Sequence, residues 1–240
     1  MRDQPEQQAP PVQRLRVRYA KRGRLRFTSH RDFSRAFERA LVRARIPMAY
    51  SSGFNPHPRI SYAGASPTGA ASEAEYLEIG LADTVDPGAL AGDLDQALPD
   101  GLDVLEVVVA TPGSLADRLQ ASRWQIDVAL PPDTVAPAVA AFWDSESVRV
   151  ERMTKKGLRA FDSREAVLAL DVEAHDVGGV AGTRITALLR HLVPAVRPDD
   201  VLAGVSRVGG LDDLGTPWVT RLQQGPLDEA RGTIGDPLAG

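Results

Sequence analysis

The sequence predicts an α+β fold of two consecutive ferredoxin-like (split βαβ) units with disordered N- and C-terminal tails. Three observations carry this. Period-2 and period-3.6 apolar patterns alternate in the order β-α-β-β-α-β, and a similar alternation begins again near the midpoint. The 240 residues, 43% of them hydrophobic, suffice for two small cores. Both ends are polar or rich in Pro and Gly and lack periodicity. The expected organisation is a flexible tail over 1–13, a basic first unit over 14–115, a second α+β unit over 116–211 and a flexible tail over 212–240.

The elements follow in order. In "QRLRVRYAKRGRLRF", Leu15, Val17 and Tyr19 alternate with Arg14, Arg16 and Arg18. After a turn at Lys21–Gly23, Leu25 and Phe27 alternate with Arg24 and Arg26. This reads as a strand or hairpin with one apolar and one basic face. A helix follows, with Ser29 as cap and Asp32 three residues on. Phe33, Ala36, Phe37, Ala40, Leu41 and Ala44 form its buried stripe, and Pro47 closes it. Arg31, Arg35, Arg39 and Arg43 step by four along its flank.

"MAYSS" or the segment just after it supplies a second strand, "EYLEIGLA" a third, "DPGALAGDLDQALP" a helix and "LDVLEVVVA" a fourth strand. In the second half, "WQIDVALP" reads as a strand and Pro132–Trp143 as a helix. "VRVERMTKKGLRAFD" is a strand running into a turn at Lys155–Gly157, and "EAVLALDVEA" is a strand. "TRITALLRHLVP" is expected as a helix capped by Thr183, with Ile185, Leu188, Leu189 and Leu192 as its stripe. "RPDDVLAGVSRVGGL" would give a last turn and strand.

The net charge of −4 hides an asymmetry. Residues 1–60 carry 14 Lys and Arg against 4 Asp and Glu, and the remainder 14 against 28. A basic end on an acidic chain points to an anionic partner, with RNA the expectation. The rival reading is a solvated face in an arginine-rich composition. No run approaches the roughly 18 apolar residues of a membrane span, and the N-terminus has no signal-peptide core. The expected localisation is cytoplasmic. The chain contains no cysteine, and so no thiolate ligand for zinc or an iron–sulfur cluster. No cofactor is expected.

The stretch "SSGFNPHPRIS" holds the least ordinary chemistry. Pro56 and Pro58 fix their own φ and force Asn55 and His57 to be extended, while Gly53 allows a turn before them. A stiff segment loses little entropy on binding. Either Phe54 plugs the core and the prolines merely brace a loop, or the loop presents Phe54 and His57 to a ligand. His30, Asp32 and His57 are the residues that could form a metal triad or serve as acid/base groups. No nucleophile elbow, P-loop, G-x-G-x-x-G or H-E-x-x-H accompanies them.

The run from "FTSHRDFSRAFERALVRARIP" through "SSGFNPHPRISYAGASPTGAASEAEYLEI" resembles the signature of the radical-SAM-associated domain family, a bacterial domain of unknown function in its stand-alone form. The second half fits more loosely, through Gly157, Asp162 and "RPDDVL"; together the likeness covers roughly 14–205. The resemblance implies a separately encoded radical SAM protein as partner, and an RNA substrate in tRNA or rRNA modification or processing. The expected function is a non-catalytic accessory protein. The alternatives are a nucleotide- or RNA-modifying enzyme using His30, Asp32 and His57, or a protein–protein adaptor. The candidate site comprises Ser29, His30, Asp32, Arg35, Arg39, Gly53, Phe54, Asn55, Pro56, His57, Pro58, Arg59 and Ser61. The expected RNA contacts are Arg16, Arg18, Arg24, Arg26, Arg35, Arg39 and Arg43.

Overall fold

The computed structural model describes residues 7–154, 157–212 and 214–239. The chain is mixed α+β and divides into two compact units, Met1–Arg118 with Pro237–Gly240, and Leu119–Asp236. Among the described residues no helix is long and apolar enough to cross a membrane.

Unit 1 opens with β1 (Gln13–Lys21), a 3-10 turn (Gly23–Phe27) and α1 (His30–Arg43). It continues through β2 (Ile60–Ala63), β3 (Ala71–Leu81), α2 (Pro87–Ala97), β4 (Leu102–Val109) and the single turn α3 (Leu115–Arg118). The strands lie in the order β4-β1-β3-β2, every pair antiparallel. Ser29 caps α1 by accepting a hydrogen bond from Asp32 N, and Asp86 caps α2 through Ala89 N. The helix stripe meets the apolar face of β1: Phe33, Phe37, Ala40 and Leu41 pack with Leu15, Val17, Tyr19, Leu77 and Ile79. Tyr19 and Phe33 stack with ring centroids 4.8 Å apart.

The hairpin expected over 14–27 is not formed. After Lys21 the chain turns through Gly23 at φ 55 into the 3-10 segment, and Arg22 N donates to Gly101 O. The strand after α1 is β2 rather than "MAYSS", which makes only isolated bridges, Met48 to Leu81 and Tyr50 to Pro58.

Unit 2 comprises β5 (Ala121–Val128), α4 (Pro132–Asp144), β6 (Arg149–Thr154), β7 (Gly157–Asp162), β8 (Val167–Val177) and β9 (Val180–Arg190). It ends with α5 (Pro198–Gly209), β10 (Trp218–Gly225), β11 (Leu227–Asp228) and β12 (Thr233–Ile234). Its main strands run β10-β5-β9-β8, all antiparallel. β6 and β7 make a separate hairpin, and β11 and β12 pair with each other. Of the expected turn at Lys155–Gly157, Lys155 and Lys156 lie outside the described residues.

Three expectations are corrected here. "TRITALLRHLVP" is not a helix: Val180–Arg190 is β9, paired with β5 on one side and β8 on the other. Thr183, Ile185, Ala187 and Leu189 form its buried face, and Arg184, Thr186 and Arg190 are half-buried on the other. Leu188 is buried as well, so Ile185, Leu188 and Leu189 imitate a helical stripe. Conversely, "RPDDVLAGVSRVG" holds α5, with Pro198 in the first turn, Asp200 accepting from Arg197 N and Gly210 in the left-handed conformation at its C-terminal end. The stretch 212–240 is not a structureless tail. Its β10 pairs with β5 from Trp218 opposite Asp127 to Gly225 opposite Ala121. At the other end, residues 1–6 of the expected tail lie outside the described residues, and Val12 N already donates to Leu81 O.

Candidate functional site

The proline-bearing loop closes on itself. Tyr50 and Pro58 bridge its two ends, Ser51 N donates to His57 O (2.8 Å) and His57 N donates to Ser51 Oγ (3.0 Å). Its base rests on β3: Ala49 N donates to Gly80 O, Arg59 N to Ala49 O, and Gly80 N to Arg59 O. Arg59 Nε also donates to Tyr50 O. Gly80 is required there, because a Cβ on it would lie 2.8 Å from Pro11 Cγ. The loop tip is presented to solvent. Gly53 sits at φ 130, Asn55, Pro56 and His57 are exposed, and Phe54 is 72% exposed. Phe54 therefore does not plug the core.

The loop walls a cleft of about 300 Å³ on the outer face of the unit 1 sheet, lined by His57, Pro58, Arg59, Ser61, Arg14 and Glu78 among others. A neighbouring hollow of about 410 Å³ shares Arg14, Ser61 and Glu78 and adds Tyr62, Ala63 and Gly113–Ala116. Glu78 receives Arg14 Nη1 and Arg16 Nε, both at 3.2 Å.

Arg16 itself is wholly buried. Its guanidinium also donates to Thr111 Oγ1, Thr111 O and Gly113 O at 3.0, 2.9 and 2.6 Å. It therefore cannot reach an RNA phosphate, contrary to the expectation for this strand face. Arg18 is half-buried with Nε on Glu73 O. Arg24 is exposed, and Arg26 lies 4.6 Å over the ring of Phe27.

Along α1, Arg31, Arg35, Arg39 and Arg43 are exposed, and none makes an ion pair or side-chain hydrogen bond among the described residues. Val42, 73% exposed, lies on the same open surface as Arg35, Arg39 and Arg43.

His30, Asp32 and His57 do not gather. Asp32 Oδ2 accepts from Ser29 Oγ at 2.7 Å, which commits it to the cap. His30 meets Tyr62 edge-on at 4.8 Å, and Tyr62 also packs against Phe33. Among the described residues no three His, Cys, Asp or Glu side chains are grouped to hold a metal ion. The helix start and the loop are thus linked through β2, whose Tyr62 touches His30 and whose Ser61 lines the cleft.

Arg14, Glu78 and Gly80 line the cleft beyond the residues that the sequence motif marks. Their sequence signal is slight: a glutamate and a glycine on the polar side of the alternating third strand, and an arginine that alternates with the apolar face of the first.

Fold and site together define an α+β chain with a cationic helix edge and a proline-stiffened loop walling a polar cleft. The chain belongs to the family described as "Uncharacterized protein conserved in bacteria (DUF2344)", whose model matches residues 14–198. No curated protein matches it. Among solved structures it is similar to an unknown protein from Galdieria sulphuraria, at 14% identity over 90% of this chain and 98% of that one, with a TM-score of 0.24. It is also similar to the first two RRM domains of the yeast poly(U)-binding protein Pub1 (12%, 87% and 98%, TM-score 0.21). The third is DyPB from Rhodococcus jostii RHA1 (11%, 95% and 97%, TM-score 0.22). TM-scores of this size do not define a common fold.

Proposed function

We propose that this protein is a non-catalytic accessory partner of a separately encoded radical SAM enzyme, binding or presenting an RNA substrate in the cytoplasm. The observation that carries the RNA part is the α1 edge. Arg35, Arg39 and Arg43 are exposed, spaced at one helical turn and unpaired among the described residues. Guanidinium groups in such a row meet successive phosphates, and exposed Phe54 offers a ring on which a base can stack. The radical SAM partner rests on the sequence resemblance and on the absence of cysteine from this chain, which leaves the cluster to another protein.

In this reading both units are ferredoxin-like. The orders β4-β1-β3-β2 and β10-β5-β9-β8 match if the β6–β7 hairpin is an insertion between α4 and β8.

The test is binding of labelled tRNA and rRNA fragments across a salt series. Each phosphate contact made to a single strand contributes about −0.7 to the slope of log affinity against log salt. The Arg35→Ala, Arg39→Ala, Arg43→Ala triple variant is therefore expected to flatten the slope by about 2. A wild-type response already flat in salt overturns the reading. Retrieval of a radical SAM protein with the tagged chain from the native host tests the partner.

A further inference from the structure

The cleft beside the loop carries more positive charge than it uses. Arg14 and Arg16 share one carboxylate, Glu78. Arg59 adds a third guanidinium, whose Nε is held by Tyr50 O and whose terminal amino groups have no partner among the described residues. The excess is two positive charges around one polar hollow, since Arg16 sits directly behind Glu78. The Arg14 side chain is 60% exposed, and the exposed His57 and Ser61 add donors at the same rim.

The walls are fixed in advance. Pro58 stiffens one, and Pro11 packs against Gly80 at a distance that only glycine permits. The adjoining hollow has no cation beyond the shared Arg14; Ser61, Ala63, Ser114, Leu115 and Ala116 give it hydroxyl and apolar lining.

We propose that this two-lobed cleft binds a nucleotide bearing a terminal phosphate monoester. The phosphate lies between Arg14 and Arg59, and the uncharged nucleoside occupies the second lobe. A terminal phosphate carries about −1.5 to −2 charges at neutral pH. It therefore matches the doubly cationic lobe better than an internal phosphodiester, which carries a single charge. Guanidinium groups suit phosphate oxygens by their planar, paired donors. The choice of a nucleotide over another phosphate ester rests on the RNA reading above; the anion site does not.

The full chain is titrated with a nucleoside 5′-monophosphate, the matching nucleoside and inorganic phosphate at low salt, followed by calorimetry and by the His57 ring resonances. The monophosphate is expected to saturate, at least tenfold tighter than either the nucleoside or inorganic phosphate. Arg14→Gln, at an exposed position, is expected to weaken it at least tenfold. Absence of saturation, or unchanged binding in R14Q, overturns the site. Equal affinity for inorganic phosphate and the monophosphate overturns the nucleotide assignment. Salt-dependent RNA binding without a monophosphate response removes this cleft and leaves the RNA reading standing. Monophosphate binding without RNA binding does the reverse.

Discussion

Arg16 holds a full charge at zero solvent exposure, and every oxygen around it is accounted for: Glu78, Thr111 Oγ1, Thr111 O and Gly113 O. A buried guanidinium pays a large desolvation cost that only such a complete set of acceptors offsets. Removing it strands a carboxylate that Arg14, out in solvent, neutralises in part. Arg16→Ala is accordingly expected to lower stability by about 3 kcal/mol, read by urea unfolding. Arg35→Ala, on the exposed flank of α1, should stay within about 0.5 kcal/mol. Strand alternation puts Arg16 on the basic face of β1, and a step of four puts Arg35 on the flank of α1; alternation sees the side of the strand but not what covers that side. Here the Thr111–Gly113 segment covers it, almost a hundred positions away. Comparable losses for the two variants would show that Arg16 is not the structural residue described.

At the scale of elements, β9 ends in a pinned histidine. His191 N donates to Gln120 O, and its ring Nδ1 donates to Leu119 O at 2.7 Å. Nε2 is left to accept from Ser122 Oγ at 3.0 Å, and Ser122 Oγ accepts in turn from Trp124 Nε1. This ties the end of β9 to β5 through a neutral ring. Burial, and after it the Arg221 charge, hold the His191 pKa below its ordinary value, with the Leu119 bond pulling partly the other way. As pH falls, the unfolded chain takes the proton first, so its bound-proton number exceeds that of the fold. The stabilisation is complete above about 6.5 and is lost on the way down through the depressed folded pKa. His191→Asn should remove that step from a stability-against-pH curve; a step that persists in the variant would place its origin elsewhere. None of this is legible from the apolar spacing of 183–194, which predicts a helix. By contrast α1 was legible almost entirely, because cap, apolar stripe and flank agree locally. β9 and α5 were not. One places Leu188 among the buried Ile185, Ala187 and Leu189 and so imitates a helical stripe, and the other hides its period behind Pro198, Gly204 and Gly209.

For the molecule as a whole, the decisive segment is the one that looked dispensable. Gly- and Pro-rich composition after Asp212 suggested a loose end, but composition does not register pairing with a strand about ninety residues earlier in the chain. β10 runs alongside β5, and its Val219, Arg221 and Gln224 are buried, with Arg221 Nη1 on Gln224 Oε1. Arg221 also lies 5.3 Å over the ring of Trp124 in β5. The site was legible only in part for the same reason: the stiffness of "NPHP" is local, whereas Gly80, Glu78 and Arg14 reach the loop through sheet pairing. A chain ending at Leu211 therefore loses the strand that pairs with β5, and exposes the buried faces of Trp124 and Ile126 together with an unpaired row of backbone donors and acceptors on β5. Unit 2 amides in β5 and β9 are expected to lose hydrogen-exchange protection in that truncation. Pairing between β1 and β3 is internal to unit 1 and involves no residue beyond 211, so those amides should keep measurable protection. Full retention of β5 protection after truncation would mean that β10 contributes nothing to the unit, and would return 212–240 to the status of a tail.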